Sequence, residues 1–73
     1  MASGWFYLSF ADGSEFRGGC YVEADEIIEA IQTSINFGCN GGPDTSVMGC
    51  PTDEAPPPHL QYRLLTKDEI DSW

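Results

Sequence analysis

The sequence predicts an α+β fold: an antiparallel β-hairpin with one packed amphipathic helix, a third strand, and an extended proline-rich tail ending in a short helix. Three observations carry this expectation. Residues 5–22 alternate in polarity on either side of an Asp-Gly turn, as paired strands do. From Ala24 the apolar spacing changes from every second residue to every third or fourth. Beyond Gly38, glycine and proline recur up to Pro58, which excludes a second long helix there.

The hairpin opens with Trp5-Phe6-Tyr7-Leu8-Ser9-Phe10. Side chains alternate along a strand, so Phe6, Leu8 and Phe10 share one face and Trp5, Tyr7 and Ser9 the other. Ala11-Asp12-Gly13-Ser14 is the turn, with glycine supplying the positive-φ position. Glu15 to Val22 returns, placing Phe16, Cys20 and Val22 on the apolar face and Glu15, Arg17, Gly19, Tyr21 and Glu23 opposite. Gly18-Gly19 in mid-strand signals a bulge, a bend, or close approach by another backbone or a ligand.

Ala24, Ile27, Ile28, Ile31 and Ile35 then form a stripe at helical spacing, with Glu26, Glu29 and Gln32 across from it. Glu23, Asp25 and Glu26 suit the positive end of the helix dipole, and Gly38 suits its left-handed terminus. The stripe is expected to cover the Phe6/Leu8/Phe10 face. Asn40-Gly41-Gly42-Pro43-Asp44 is a loop, and Thr45 to Cys50 a short strand with Val47 inward. Pro56-Pro57-Pro58 should be extended polyproline II. Leu60 to Leu65 reads as a last strand or a packed extended segment, of open pairing. Thr66-Lys67-Asp68-Glu69 matches a capping box that starts a short helix towards Trp73.

Seventy-three residues make a single domain, and so small a core usually needs added support. Twelve acidic against three basic residues give a net charge of −9, which argues against binding DNA, RNA or anionic membrane. No apolar run approaches the roughly 20 residues of a transmembrane helix. Met1-Ala2-Ser3-Gly4 lacks the features of a secretory signal, so a cytoplasmic location is expected. The odd cysteine count fits free thiols in a reducing compartment. Cys20, Cys39, Cys50 and His59 are the one set able to hold zinc, but they lack a C-x-x-C knuckle. Buried thiols are the simpler reading. No cofactor is implied.

Catalysis finds little support. His59 follows three prolines, and no spacing brings a cysteine to it. Asp25/Glu26 and Asp53/Glu54 are more simply solvated charges. The Asn40-Gly41-Gly42 loop follows a helix rather than preceding one, which is wrong for a phosphate cradle.

The face opposite the helix carries the leading expectation. Trp5, Tyr7, Arg17 and Tyr21 should project from it together, and exposed aromatics mark interfaces. Rings with one arginine suit a nucleotide-like anion, by stacking and by pairing to phosphate. Homo-oligomerisation would bring Arg17 or Arg63 of neighbouring copies to one pocket. The competing arrangement has the C-terminal segment folding across this face through Leu60, Tyr62, Leu64 and Leu65. The charge supports a second function, an acidic inhibitor that docks on a basic, nucleic-acid-binding protein surface. A third is an assembly component whose aromatic face only joins subunits.

Tyr7-Leu8-Ser9-Phe10, Val22-Glu23-Ala24 and Gly38-Cys39-Asn40-Gly41-Gly42 together resemble short accessory proteins of bacteriophages and related actinobacterial elements. That resemblance implies a context, viral counter-defence in a host cytoplasm, by nucleotide capture or by blocking a host protein. It assigns no residue a role.

Overall fold

The structure, a computed structural model, describes residues 4–72. Trp73, expected at the end of the last helix, lies outside the described residues, as do residues 1–3. Strands β1 (Gly4–Asp12), β2 (Glu15–Ala24) and β3 (Ser46–Pro51) form one antiparallel sheet in the order β2-β1-β3. Helix α1 (Ile27–Asn36) lies on one face. A 3-10 turn at Pro58–Leu60 and helix α2 (Lys67–Asp71) follow in the tail. The α+β architecture is the expected one.

The hairpin closes in two residues, Gly13 and Ser14, between the paired Asp12 and Glu15. Gly13 sits at φ +62°, the first-position geometry that glycine supplies in a II′ turn. From Gly4 to Phe10 the pairing is regular, with Leu8 opposite Cys20 and Tyr7 opposite Tyr21. It then slips: Phe10 faces Gly18 but Ala11 faces Phe16, so Arg17 is the extra residue of a bulge. A one-residue slip turns a side chain to the other face. Phe16 therefore leaves the Cys20/Val22 face and is partly exposed beside Tyr7 and Ser9, contrary to expectation.

The helix ends where Gly38 predicts. Cys39 N–H donates to Ser34 C=O at 2.9 Å and Gly38 N–H to Ile35 C=O at 3.1 Å, with Gly38 at φ +71°. This is a Schellman motif. Asn40 then bonds back to the Ser34 hydroxyl at 3.1 Å and accepts from Gly42 N–H at 2.9 Å. Gly41 lies against the Phe10 ring, where a Cβ would overlap it. The loop's composition is thus accounted for by packing.

Two small cores result. Leu8, Phe10, Cys20, Val22, Ala24, Ala30 and Cys39 fill the side under α1, with Phe6, Ile31, Val47 and Tyr62 at its margin. Tyr21, Leu60 and Leu65 form the other, flanked by Trp5, Tyr7 and Ile70. The tail supplies it. Pro57 is extended, at φ −57° and ψ 147°, but Pro58 begins the 3-10 turn instead of continuing the polyproline run. The tail then runs along the outer edge of β2. Leu65 N–H donates to Gly19 C=O at 2.7 Å and its carbonyl accepts from Gly19 N–H at 3.1 Å, while Tyr62 N–H donates to Tyr21 C=O at 3.0 Å. An open sheet edge is thereby capped by the chain's own C-terminal part. Thr66 and Glu69 complete the capping box of α2, each side chain accepting from the other's backbone N–H.

Gly18-Gly19 serves both the bulge and this docking. A Cβ at Gly19 would stand 2.9 Å from Leu8 O and Tyr7 Cε1 and 3.0 Å from Ile70 Cδ1. Gly18, at φ +129°, has Leu64 Cδ1 and Leu65 O within 3.1 Å of the same position.

Candidate functional site

Strand parity is as expected: Trp5, Tyr7 and Tyr21 point away from α1. They do not form an open face. The tail covers it, and Tyr21 is only 5% exposed. Tyr7 and Tyr21 pack ring to ring at 5.2 Å, and Trp5 meets Tyr62 edge-on at 5.7 Å. Each of these rings therefore has an aromatic partner within the chain, while Trp5 and Tyr7 stay half-buried. Arg17 does not join them either. As the bulged residue it lies at the hairpin tip, where its guanidinium pairs with Asp12 at 3.3 Å and Glu15 at 3.5 Å. Tyr7 lines a shallow notch with Ser9, Phe16, Lys67, Ile70 and Asp71, and Arg17 lines an adjoining one beside Leu64–Lys67, the two meeting at Phe16 and Lys67. The expected convergence of Trp5, Tyr7, Arg17 and Tyr21 on one surface is corrected: bulge and tail divide them.

Tail docking leaves a titration signature. Burial raises the Tyr21 phenol above its ordinary value near 10, with smaller contributions from Tyr7 and Cys50. A raised folded value means that this contribution is complete below pH 10 and is lost as pH rises through the folded value. Glu69 moves the other way, lowered first by the Thr66 backbone N–H and further by Arg63. Its contribution is present above the ordinary carboxylate range and lost as acid titrates through the folded value. Denaturant titrations across pH should show stability falling in both limits, and Tyr21→Phe should make the alkaline fall shallower, leaving the part that the buried Cys20 thiol contributes. An alkaline limb unchanged in that variant contradicts the burial of Tyr21.

The candidate zinc ligands separate. Cys20 and Cys39 meet inside the helix-side core, whereas Cys50 is exposed on the opposite face of β3 and His59 is exposed in the tail. Among the described residues no three His, Cys, Asp or Glu side chains group as a metal site would require. The two buried thiols hydrogen-bond each other, which raises Cys20 and lowers Cys39. A thiol reagent should label one cysteine, Cys50, quickly. Labelling of the other two should be roughly a thousandfold or more slower, limited by the unfolded fraction. Fast labelling of all three contradicts this core.

The outer flank of α1 gives a different site. Ala30 and Ser34, not the isoleucines, sit at the centre of the buried face and are fully buried. Their small side chains allow close approach to the sheet, and the Ser34 hydroxyl is satisfied by Ile31 C=O at 2.6 Å. The isoleucine stripe is consequently turned partly outward, correcting the expectation that it covers the sheet. Ile27 and Ile31 are its inner edge, and Ile28 and Ile35 are 71% and 55% exposed. Two helical turns separate Ile28 from Ile35, so they lie on one line. At Ile35 this line meets an open groove of about 380 Å³, also lined by Gly38, Asn40, Gly42 and Pro43.

The surroundings are acidic. Glu23, Asp25, Glu26 and Glu29 are exposed at the start of α1, and Asp44 follows the groove. The basic residues belong to other elements: Arg17 to the hairpin tip, Arg63 and Lys67 to the tail. Helical spacing picks out the isoleucine stripe but does not say which edge of it is buried. The available signal was Ala30 and Ser34, small residues four apart beside that stripe. Compared with family models, curated proteins and solved structures, the chain finds no match in any of the three. Among the described residues, no helix is long and apolar enough to cross a membrane.

Proposed function

We propose that this is a non-enzymatic binding protein that docks the Ile28/Ile35 edge of α1, with the adjoining Pro43 groove, onto a basic protein surface. One observation carries the reading: the large aliphatic side chains of Ile28 and Ile35 stand exposed in line, with exposed carboxylates at the start of the same helix and at Asp44 beyond the groove. An apolar centre with a charged rim is the anatomy of a protein interface. Central apolar anchors supply affinity, and the rim supplies steering and partner choice. The resemblance to phage accessory proteins adds an expected setting, inhibition of a host protein whose basic surface otherwise meets nucleic acid. Nucleotide capture is not favoured by this geometry, since the rings it requires are engaged by Tyr62 and by each other.

The test begins with capture from nuclease-treated host extract at low salt, followed by calorimetry with the purified partner. Ile28→Glu and Ile35→Glu should each weaken binding by about 2 kcal/mol or more, the loss expected at an interface hot spot. Raising salt should also weaken it, because rim charges are screened over about 8 Å at physiological ionic strength. An affinity indifferent to both salt and Ile35→Glu contradicts the proposal.

A further inference from the structure

The two edges of the sheet are treated differently, and the difference points to self-association at β3. Hydrogen bonding alternates along an antiparallel pair. Both backbone groups of Gly19 are committed to Leu65, so the Ser9–Gly19 and Tyr7–Tyr21 pairs are the non-bonded ones of the β1–β2 ladder. The odd-numbered residues of β1 therefore turn their N–H and C=O towards β3, as Trp5 C=O does in accepting from Thr52 N–H at 2.9 Å. Their partners Ser46, Met48 and Cys50 face inward along the ladder. Val47 and Gly49 then direct N–H and C=O outward, and Pro51 ends the row because it has no N–H to give. Among the described residues, no other segment pairs along that side.

An edge of this kind is normally blunted by charge. Here Ser46–Pro51 contains no charged residue, although the chain carries −9. Met48, the middle of the row, is 77% exposed. We propose that two copies of the chain pair antiparallel along β3 about a two-fold axis at Met48. In that register Val47 of each copy lies opposite Gly49 of the other, and the pair exchanges both backbone hydrogen bonds at each of two symmetric positions. The four outward groups of Val47 and Gly49 in each strand are satisfied, and the interface is isologous, so it closes at the dimer. The two sheets become one of six strands. A second copy is the fitting occupant because the row is self-complementary in groups and free of like charge. The acidic neighbours Asp44, Asp53 and Glu54 lie beyond its ends. This inference is independent of the α1 docking surface, and its salt dependence has the opposite sign: screening those flanking carboxylates strengthens dimerisation.

Sedimentation equilibrium of the full chain over a wide concentration range is the test. The expected mass rises from 8.0 kDa to twice that value, at lower concentration when salt is added. Met48→Lys, at an exposed side chain, should keep the circular dichroism of the wild type and weaken the dimer at least tenfold. In a Cys50→Ser background, Met48→Cys should cross-link under oxidised glutathione at least tenfold faster than Glu54→Cys. The proposal is overturned by a monomer at every concentration, by a dimer that survives Met48→Lys, or by equal cross-linking at both positions. Protection of the Val47 and Gly49 amides only in complex with a captured host protein would assign the edge to that protein and overturn it equally.

Discussion

Leu65→Ala is expected to cost the fold about 2–5 kcal/mol, a large fraction of its stability. Leu65 is buried, joins Tyr21 and Leu60 in the smaller core, and is held by two backbone bonds to Gly19. Truncating a buried leucine costs about 2–5 kcal/mol. At roughly 0.05–0.15 kcal/mol per residue, 73 residues amount to a total stability of only about 4–11 kcal/mol. The substitution therefore removes from a fifth to all of it. The measurement is a urea titration followed by far-UV circular dichroism and by Trp5 fluorescence in a Trp73→Phe background. Both probes should shift together if the tail core and the helix core unfold as one unit. A loss below about 1 kcal/mol would mean that the tail is an appendage, and the Trp5/Tyr7/Tyr21 face would again be available to a ligand.

Gly19→Val should be comparably severe, for a reason that has nothing to do with lost contacts. The first added carbon already stands within 3.0 Å of Leu8 O, Tyr7 Cε1 and Ile70 Cδ1, and valine adds two more. Overpacking costs about 1–3 kcal/mol where neighbours can shift. Here one neighbour is a backbone carbonyl of the central strand, so the tail is the part that must move. The expected result is loss of the Leu65 pairing, read as fast exchange of the Gly19 and Leu65 amides, with unfolding at lower urea. Gly19→Ala should show the same change in smaller degree. A valine variant with wild-type exchange at both amides contradicts the close docking of the tail.

These outcomes bear on how far the fold was legible. The alternation in β1, the Asp-Gly turn, the Gly38 terminus and the Thr66/Glu69 box are local signals, each read by a rule that needs no knowledge of the rest of the chain. Phe16 was misplaced because a single bulged residue, Arg17, reverses parity beyond it, and two glycines announce a bulge without saying which residue is extruded. The helix face was misjudged because the isoleucine stripe is wider than the strip of sheet beneath it. Ala30 and Ser34 win the centre by close approach, a tertiary effect that periodicity does not contain. The tail was the real ambiguity. Leu60 and Leu65 turn inward, Leu64 stays partly exposed, and Tyr62 takes φ +56° to reach round the edge of β2 and pack on Phe37 at 4.4 Å. Nothing in the spacing 60–65 distinguishes those destinies. The predicted ligand residues fail to converge for the same two reasons, the bulge and the cover. The exposed isoleucine edge exists because the helix is rotated.

The proposed function turns on which face meets the partner, and amide and methyl chemical-shift mapping of the complex reads that directly. With a captured basic protein, the account predicts the largest shifts at Ile28, Gln32, Ile35 and the Gly42-Pro43 groove. It predicts little change at Trp5, Tyr7 and Tyr21. Shifts concentrated on those three aromatics, with the α1 isoleucines unmoved, would contradict it.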